Sequence, residues 1–190
     1  MRTLLVPKGH DLREPVEDLI SGIYTQQYCA DVREFPPLLL AMCAGNGTPV
    51  CAAGLRFAAD GFFSECYLDE PVEDVLFDIC GDDVDRESIF EVSCLVTCAP
   101  ALAPRFLAQI VTFGDKAGFE WAFFTATSNL KNLLKRLRLP MLEIGVADRS
   151  RVNRPQAWGS YYDTDPRLYA VHQKTLSAFF AGPTQRPMHA

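Results

Sequence analysis

Glu91 is the residue whose placement most needs explaining. It lies in the stretch 89–96, which is mostly apolar. A carboxylate there is costly unless it is paired or stands at an exposed strand end. Burial raises a carboxyl pKa toward the range of a general base. The other reading of Glu91 is a buried ion pair with Arg56. Arg56, in Gly54-Leu55-Arg56-Phe57, can clamp a carboxylate through two parallel hydrogen bonds, or serve as a structural partner of Glu65 or Glu91. Glu65, Tyr67 and Asp69 alternate with Cys66 and Leu68. In a strand they share one face, which lines a pocket or meets water. Asp31 either holds a substrate amine or is a solvated turn residue. Cys94 is a candidate nucleophile, but no histidine is near it in sequence, and strand cysteines are ordinarily inert. The Trp158-to-Tyr162 run walls a pocket or packs the core.

These residues need elements to position them. Val16, Leu19, Ile20, Ile23 and Tyr24 recur at helical spacing, predicting a helix over 12–28 with Asp11 as N-cap. Strands are expected at 38–43, 50–58 and 62–68, separated by Gly45-Asn46-Gly47 and Asp60-Gly61 turns. An acidic helix over 71–85 and a central strand over 88–96 follow. After Pro104 comes a helix to about Ala117, capped by Gly118, then a buried strand over 121–127. A helix runs from Ser128, its N-cap, to Leu139. A last strand is expected over 142–147, a terminal helix to near Phe180, and a loose tail over 181–190. Antiparallel hairpins followed by β-α-β give a single domain, 1–180. Its architecture is an α/β/α sandwich with a mixed, largely antiparallel central sheet, the layout of GNAT acyltransferases.

Several stretches, taken together, resemble the thermostable hemolysin family. They are 28–32 (YCADV), 54–58 (GLRFA), 65–69 (ECYLD), Glu91-Val92, Phe124-Thr125-Ala126-Thr127, 129–137 (NLKNLLKRL) and Trp158-Gly159-Ser160-Tyr161-Tyr162. The resemblance extends from about Tyr24 to Tyr169. It implies kinship with acyl-homoserine-lactone synthases and a GNAT-like fold with acyl-transfer chemistry. By the same resemblance, Glu91 corresponds to a glutamate of the synthases that deprotonates an acceptor amine, and Arg56 to an arginine of the same strand. Phe124, Thr125 and Trp158 join Asp31, Glu65 and Tyr67 as substrate-binding candidates. Backbone N–H groups near Cys94 and Leu95 are expected to stabilise an oxyanion. One departure stands out: the family pattern has Gly-Asn where this chain has Ser93-Cys94.

GNAT enzymes that use coenzyme A carry a glycine-rich loop whose N–H groups bind pyrophosphate at a helix N-terminus. Here the loop from Thr97 to Arg105 has no glycine and two prolines, which remove two donors. The expected donor is therefore an acyl thioester on the phosphopantetheine of an acyl carrier protein, in preference to coenzyme A. Carrier proteins are acidic, and 128–139 carries Lys131, Lys135, Arg136 and Arg138 with no acidic residue. Opposite charge favours docking; a solvated helix face with cations near its C-terminus is the alternative. A small amine is the expected acceptor, with an amino acid and S-adenosylmethionine both open.

The net charge of −6 argues against generic nucleic-acid binding. It divides unevenly, into −11 over 60–91 and +5 over 128–154. The basic stretch leaves an aminoacyl-tRNA-dependent transferase open as an alternative. A non-enzymatic membrane-active or partner-binding effector is another. No apolar run is long enough to span a bilayer or to form a secretory h-region, so a cytoplasmic protein is expected. The seven cysteines are irregularly spaced without C-x-x-C, and the three histidines are scattered. Reduced cysteines and no metal site are expected, and no tightly bound cofactor.

Overall fold

The computed structural model describes residues 1–176. The expected helix end near Phe180 and the 181–190 tail lie outside them. Seven strands form one sheet: β1 (Arg2–Pro7), β2 (Leu38–Cys43), β3 (Pro49–Phe57), β4 (Ile89–Thr97), β5 (Trp121–Ala126), β6 (Leu142–Val146) and β7 (Arg167–His172). Their spatial order is β1-β2-β3-β4-β5-β7-β6. Only the β4–β5 pair is parallel. The mixed, largely antiparallel sheet and its flanking helices are those expected of a GNAT-like sandwich.

Alternation assigns the helices to faces. α1 (Arg13–Tyr28) buries Val16, Ile20 and Tyr24 against Leu39, Ala41, Ala52 and Val96. α2 (Val72–Cys80) buries Val72 and Leu76 on the same face, with Ile89 and Phe123. α3 (Ala103–Ala117) buries Phe106, Ile110 and Val111 on the other face, against Leu40, Met42, Ala53, Leu55, Phe90 and Val92. α4 (Ser128–Arg136) buries Leu134. Gly54 keeps the centre of β3 thin: a Cβ there would lie 2.3 Å from Pro36 Cγ.

The structure corrects several expectations. Residues 62–68 form no strand. The chain makes two 3-10 turns instead, at Ala58–Asp60 and Ser64–Tyr67, so Glu65, Tyr67 and Asp69 do not share a strand face. β1 and β7 were not foreseen. β1 is an edge strand with a single buried residue, Val6, and its apolar run is only three residues, Leu4 to Val6, closed by Pro7. The sequence of β7, Arg-Leu-Tyr-Ala-Val-His, is buried on both faces and lacks alternation. Leu12 precedes α1 without a side-chain cap, and its N–H bonds to His10 Nδ1 at 3.0 Å; Asp11 does not cap. Thr127, not Ser128, caps α4, because the Ser128 hydroxyl donates to the Thr164 carbonyl at 2.7 Å. α4 ends at Arg136, and Arg138 takes a left-handed φ of 56°.

Candidate active site

The sheet splits where the parallel pair ends. β4 and β5 pair from Ile89↔Trp121 to Val92↔Phe124 and then part. β4 continues along β3 to Thr97, while β5 follows β7 to Ala126. Just past the split, Ala52 faces Val96 and Gly54 faces Ser93. Cys94 and Leu95 therefore oppose Ala53 alone, the two-against-one count of a β-bulge. Cys94 takes φ 50°, in the left-handed region. A bulge takes its extra residue out of the ladder, and here that frees main chain beside the opening.

A cavity of about 870 Å³ passes through the split and is lined from both sheet faces. On the α3–α4 face its walls are apolar, including Phe90, Phe106, Leu107, Phe124, Leu130 and Leu133. On the α1 face they are aromatic and polar, including Tyr24, Tyr28, Phe63, Trp158, Tyr161 and Arg56. The rings support one another: Tyr24 stacks on Tyr161 at 6.1 Å, and Trp158 lies 5.4 Å from Tyr161 and 5.8 Å from Phe63. Gly159 makes this packing achievable. Its φ is 52°, and a Cβ there would stand 1.9 Å from the Tyr28 carbonyl oxygen.

Glu91 is fully buried on β4. Its Oε2 accepts the Phe63 N–H at 2.7 Å, and its Oε1 accepts the Ser64 N–H at 3.0 Å and the Ser64 hydroxyl at 2.6 Å. Desolvation pushes its pKa up; these hydrogen bonds and the Arg56 charge oppose that rise. Arg56 stands directly across from it on β3. Among the described residues the two form no ion pair, and Arg56 Nε is buried without a hydrogen-bond partner. The 3-10 turn replaces the expected strand for a physical reason. A turn aims two consecutive N–H groups, Phe63 and Ser64, at one carboxylate, whereas successive strand N–H groups point opposite ways.

The other predicted site residues divide. Phe124, Thr125, Trp158, Asp31, Tyr67, Leu95 and Thr97 line the cavity with Arg56 and Cys94. Asp31 is exposed and paired with Arg33 at 2.7 Å, and that hydrogen bond lowers its pKa. The Tyr67 hydroxyl meets that of Tyr162 at 2.7 Å. Burial pushes the Cys94 thiol up to about 11, which keeps it protonated near neutrality. Thr97 Oγ1 bonds locally to the Ala99 carbonyl at 2.8 Å. Glu65 does not line the cavity: it pairs with Arg86 at 2.6 and 2.7 Å and accepts the Val72 N–H. Arg86 also binds Glu73 at 2.6 Å and lies 4.6 Å over the Phe62 ring, so this cluster braces the turn that carries Phe63 and Ser64. Arg105 is exposed on α3; Lys135 and Arg136 are exposed on α4. Lys131 lies 3.7 Å from Glu143. Ser64 was not foreseen as a site residue. The one sequence signal for it is indirect: a buried carboxylate on β4 requires donors from some neighbouring segment.

The split mixed sheet with a bulge at its opening is a GNAT-like fold. The chain belongs to the thermostable hemolysin family, whose model matches residues 6–176. Similar solved structures include the AHL synthase LasI, with a TM-score of 0.65 at 9% identity, covering 97% of this chain and 98% of that one. FeeM, an N-acyl amino acid synthase from uncultured soil microbes, has a TM-score of 0.61 at 12% identity, covering 92% and 96%. BjaI, a CoA-dependent acyl-homoserine lactone synthase solved with SAM and isopentyl-CoA, has 0.60 at 12% identity, covering 93% and 86%. A sequence search of curated proteins finds no match. Among the described residues no helix is long and apolar enough to cross a membrane, and no group of residues could hold a metal ion.

Proposed function

We propose that this protein is an N-acyltransferase that moves an acyl group from a phosphopantetheine thioester to the amine of a small acceptor. The observation that carries this reading is the two-sided cavity. Its apolar branch, between the sheet and α3–α4, suits an acyl chain. Its aromatic branch suits a compact acceptor whose carboxylate meets Arg56, a half-buried cation in the cavity wall whose Nε has no hydrogen-bond partner. The thioester carbonyl belongs at the split between them, beside the main chain at Cys94 and Leu95, where N–H groups can stabilise the oxyanion. Glu91 takes the proton that the amine must lose, and burial raises its basicity for that task.

Acyl carrier protein is the proposed donor. The 3-10 turn Pro100–Leu102 and Pro104 at the start of α3 leave no glycine cradle for a pyrophosphate. The exposed Lys135 and Arg136 on α4, with Arg105 on α3, offer cations to an acidic carrier. Incubating the protein with acyl carrier protein or acyl-CoA thioesters, each with amino acids or S-adenosylmethionine, and weighing the products tests this. An N-acyl product from the carrier thioester supports it; thioesters that persist with every acceptor refute it.

A further inference from the structure

Glu91 has no direct route to an acceptor amine. It is fully buried, and both carboxylate oxygens are occupied by the 63–64 turn. The Ser64 hydroxyl, which donates to Glu91 Oε1 at 2.6 Å, also lies 3.0 Å from Thr125 Oγ1. Ser64 and Thr125 both line the cavity. Thr125 is half-buried on β5, one residue past the last pair that β5 forms with β4.

The hydrogen-bond directions follow. Ser64 has one hydroxyl proton, and it is donated to Glu91. The Thr125 hydroxyl must therefore be the donor in the Ser64–Thr125 contact. That leaves a lone pair on Thr125 Oγ1 to accept an N–H.

We infer that Thr125 and Ser64 form a two-hydroxyl proton relay connecting an acceptor amine at the split sheet to Glu91. The inference rests on the acyl-transfer reading above. In the balanced step, the acceptor ammonium gives one proton to Thr125 Oγ1. The Thr125 proton moves to Ser64, and the Ser64 proton moves to Glu91 Oε1. Both hydroxyls end neutral and Glu91 ends protonated. The freed amine forms its C–N bond at the thioester carbonyl. The C–S bond then breaks, the leaving thiolate takes the second amine proton, and Glu91 returns its proton to water. Thr125 is the catalytic residue of this chain because it meets the substrate, and Ser64 is the link behind it. The groups facing Glu91 are Arg56 from β3, the Cys94 thiol from β4, the Cys66 thiol from the turn and these two hydroxyls. Both thiols have pKa values raised to about 11, so neither competes with Glu91 as a proton acceptor near neutral pH.

The test compares full-length wild type with Thr125→Val, Thr125→Ser and Thr125→Cys, using the thioester and amine that wild type converts. Loss of the hydroxyl in Thr125→Val is expected to lower kcat about 100-fold, the scale of general-base catalysis, with acceptor KM little changed. Its kcat should lose the rise that follows ionisation of Glu91. Thr125→Ser, which keeps the hydroxyl, should restore most of the kcat lost in Thr125→Val together with the pH-dependent rise, and Thr125→Cys, of serine's size, should resemble Thr125→Val. Equal kcat values and pH profiles for the serine and cysteine variants overturn the relay, even if the valine variant does not fold. If wild type acylates no amine, the acyl-transfer reading fails and the relay fails with it. If wild type acylates and Thr125→Val does so equally well, the relay alone fails.

Discussion

Arg56 and Glu91 stand opposite each other on neighbouring strands, yet Glu91 gives its carboxylate to the Phe63–Ser64 turn and leaves Arg56 Nε unpartnered in the cavity wall. Each charge is thereby left a separate task. Replacing Arg56 with Met removes the cation and keeps an apolar stem of similar reach. If the cation reads an acceptor carboxylate, acceptor KM rises at least about tenfold, in line with a lost charge-assisted hydrogen bond. Donor KM should be unchanged. Steady-state kinetics varying each substrate separates the two.

Glu91→Gln is expected to keep the fold and lose about 100-fold or more in turnover. The amide retains the size of the side chain, but sets an N–H₂ group against donors that now bind a carboxylate. Stability should fall by about 1–3 kcal/mol. Urea unfolding and acyl-transfer rates measured on the same preparation check both effects.

The raised pKa of Glu91 fixes a sign for pH dependence. In the unfolded chain the carboxyl titrates near its ordinary value, and in the folded protein it titrates higher. The folded state therefore binds more protons in that window, and stability falls as pH rises through it. Wild type should lose stability relative to Glu91→Gln between the ordinary glutamate value and the raised one. Turnover should rise over the same window as Glu91 ionises. Thermal unfolding of both proteins across that range is the check; a constant difference between them contradicts the assignment.

Much of the fold is legible in the sequence because periodicity carries it. The helical spacing of Val16, Ile20 and Tyr24 and the apolar run Leu38–Cys43 lead to α1 and β2 as observed. What stayed hidden has physical causes. The 62–68 segment reads as a strand by composition, but Glu91, distant in sequence, needs two adjacent N–H donors, and that tertiary demand bends the chain into a turn. Glu65 looked like a pocket residue because nothing nearby announces Arg86 as its partner. Ser64 is one hydroxyl among many until Glu91 and Thr125 are brought around it.

The Arg86 brace should matter at a distance. Arg86→Met frees Glu65 and Glu73 from their shared cation and loosens the turn that holds Glu91. A loss of about 1–3 kcal/mol is expected from charged hydrogen bonds at a part-buried site. Turnover should fall while donor KM holds. Urea denaturation and steady-state kinetics measure the two.

Gly159→Ala should be more damaging. The new Cβ meets the Tyr28 carbonyl at 1.9 Å in a left-handed backbone. Either the chain shifts and the Tyr24–Trp158–Tyr161 wall opens, or the protein loses about 3 kcal/mol or more. Near-ultraviolet circular dichroism and thermal unfolding report on the rings and on the stability.

The central claim is acyl transfer at the split between β4 and β5, and mass spectrometry of one reaction tests it most directly. Wild-type protein is mixed with acyl carrier protein thioesters, S-adenosylmethionine and a set of amino acids. The account predicts deacylated carrier together with an N-acylated acceptor, both forming about 100-fold more slowly or less with Glu91→Gln. Intact thioester with every acceptor, or equal product from Glu91→Gln, would contradict it.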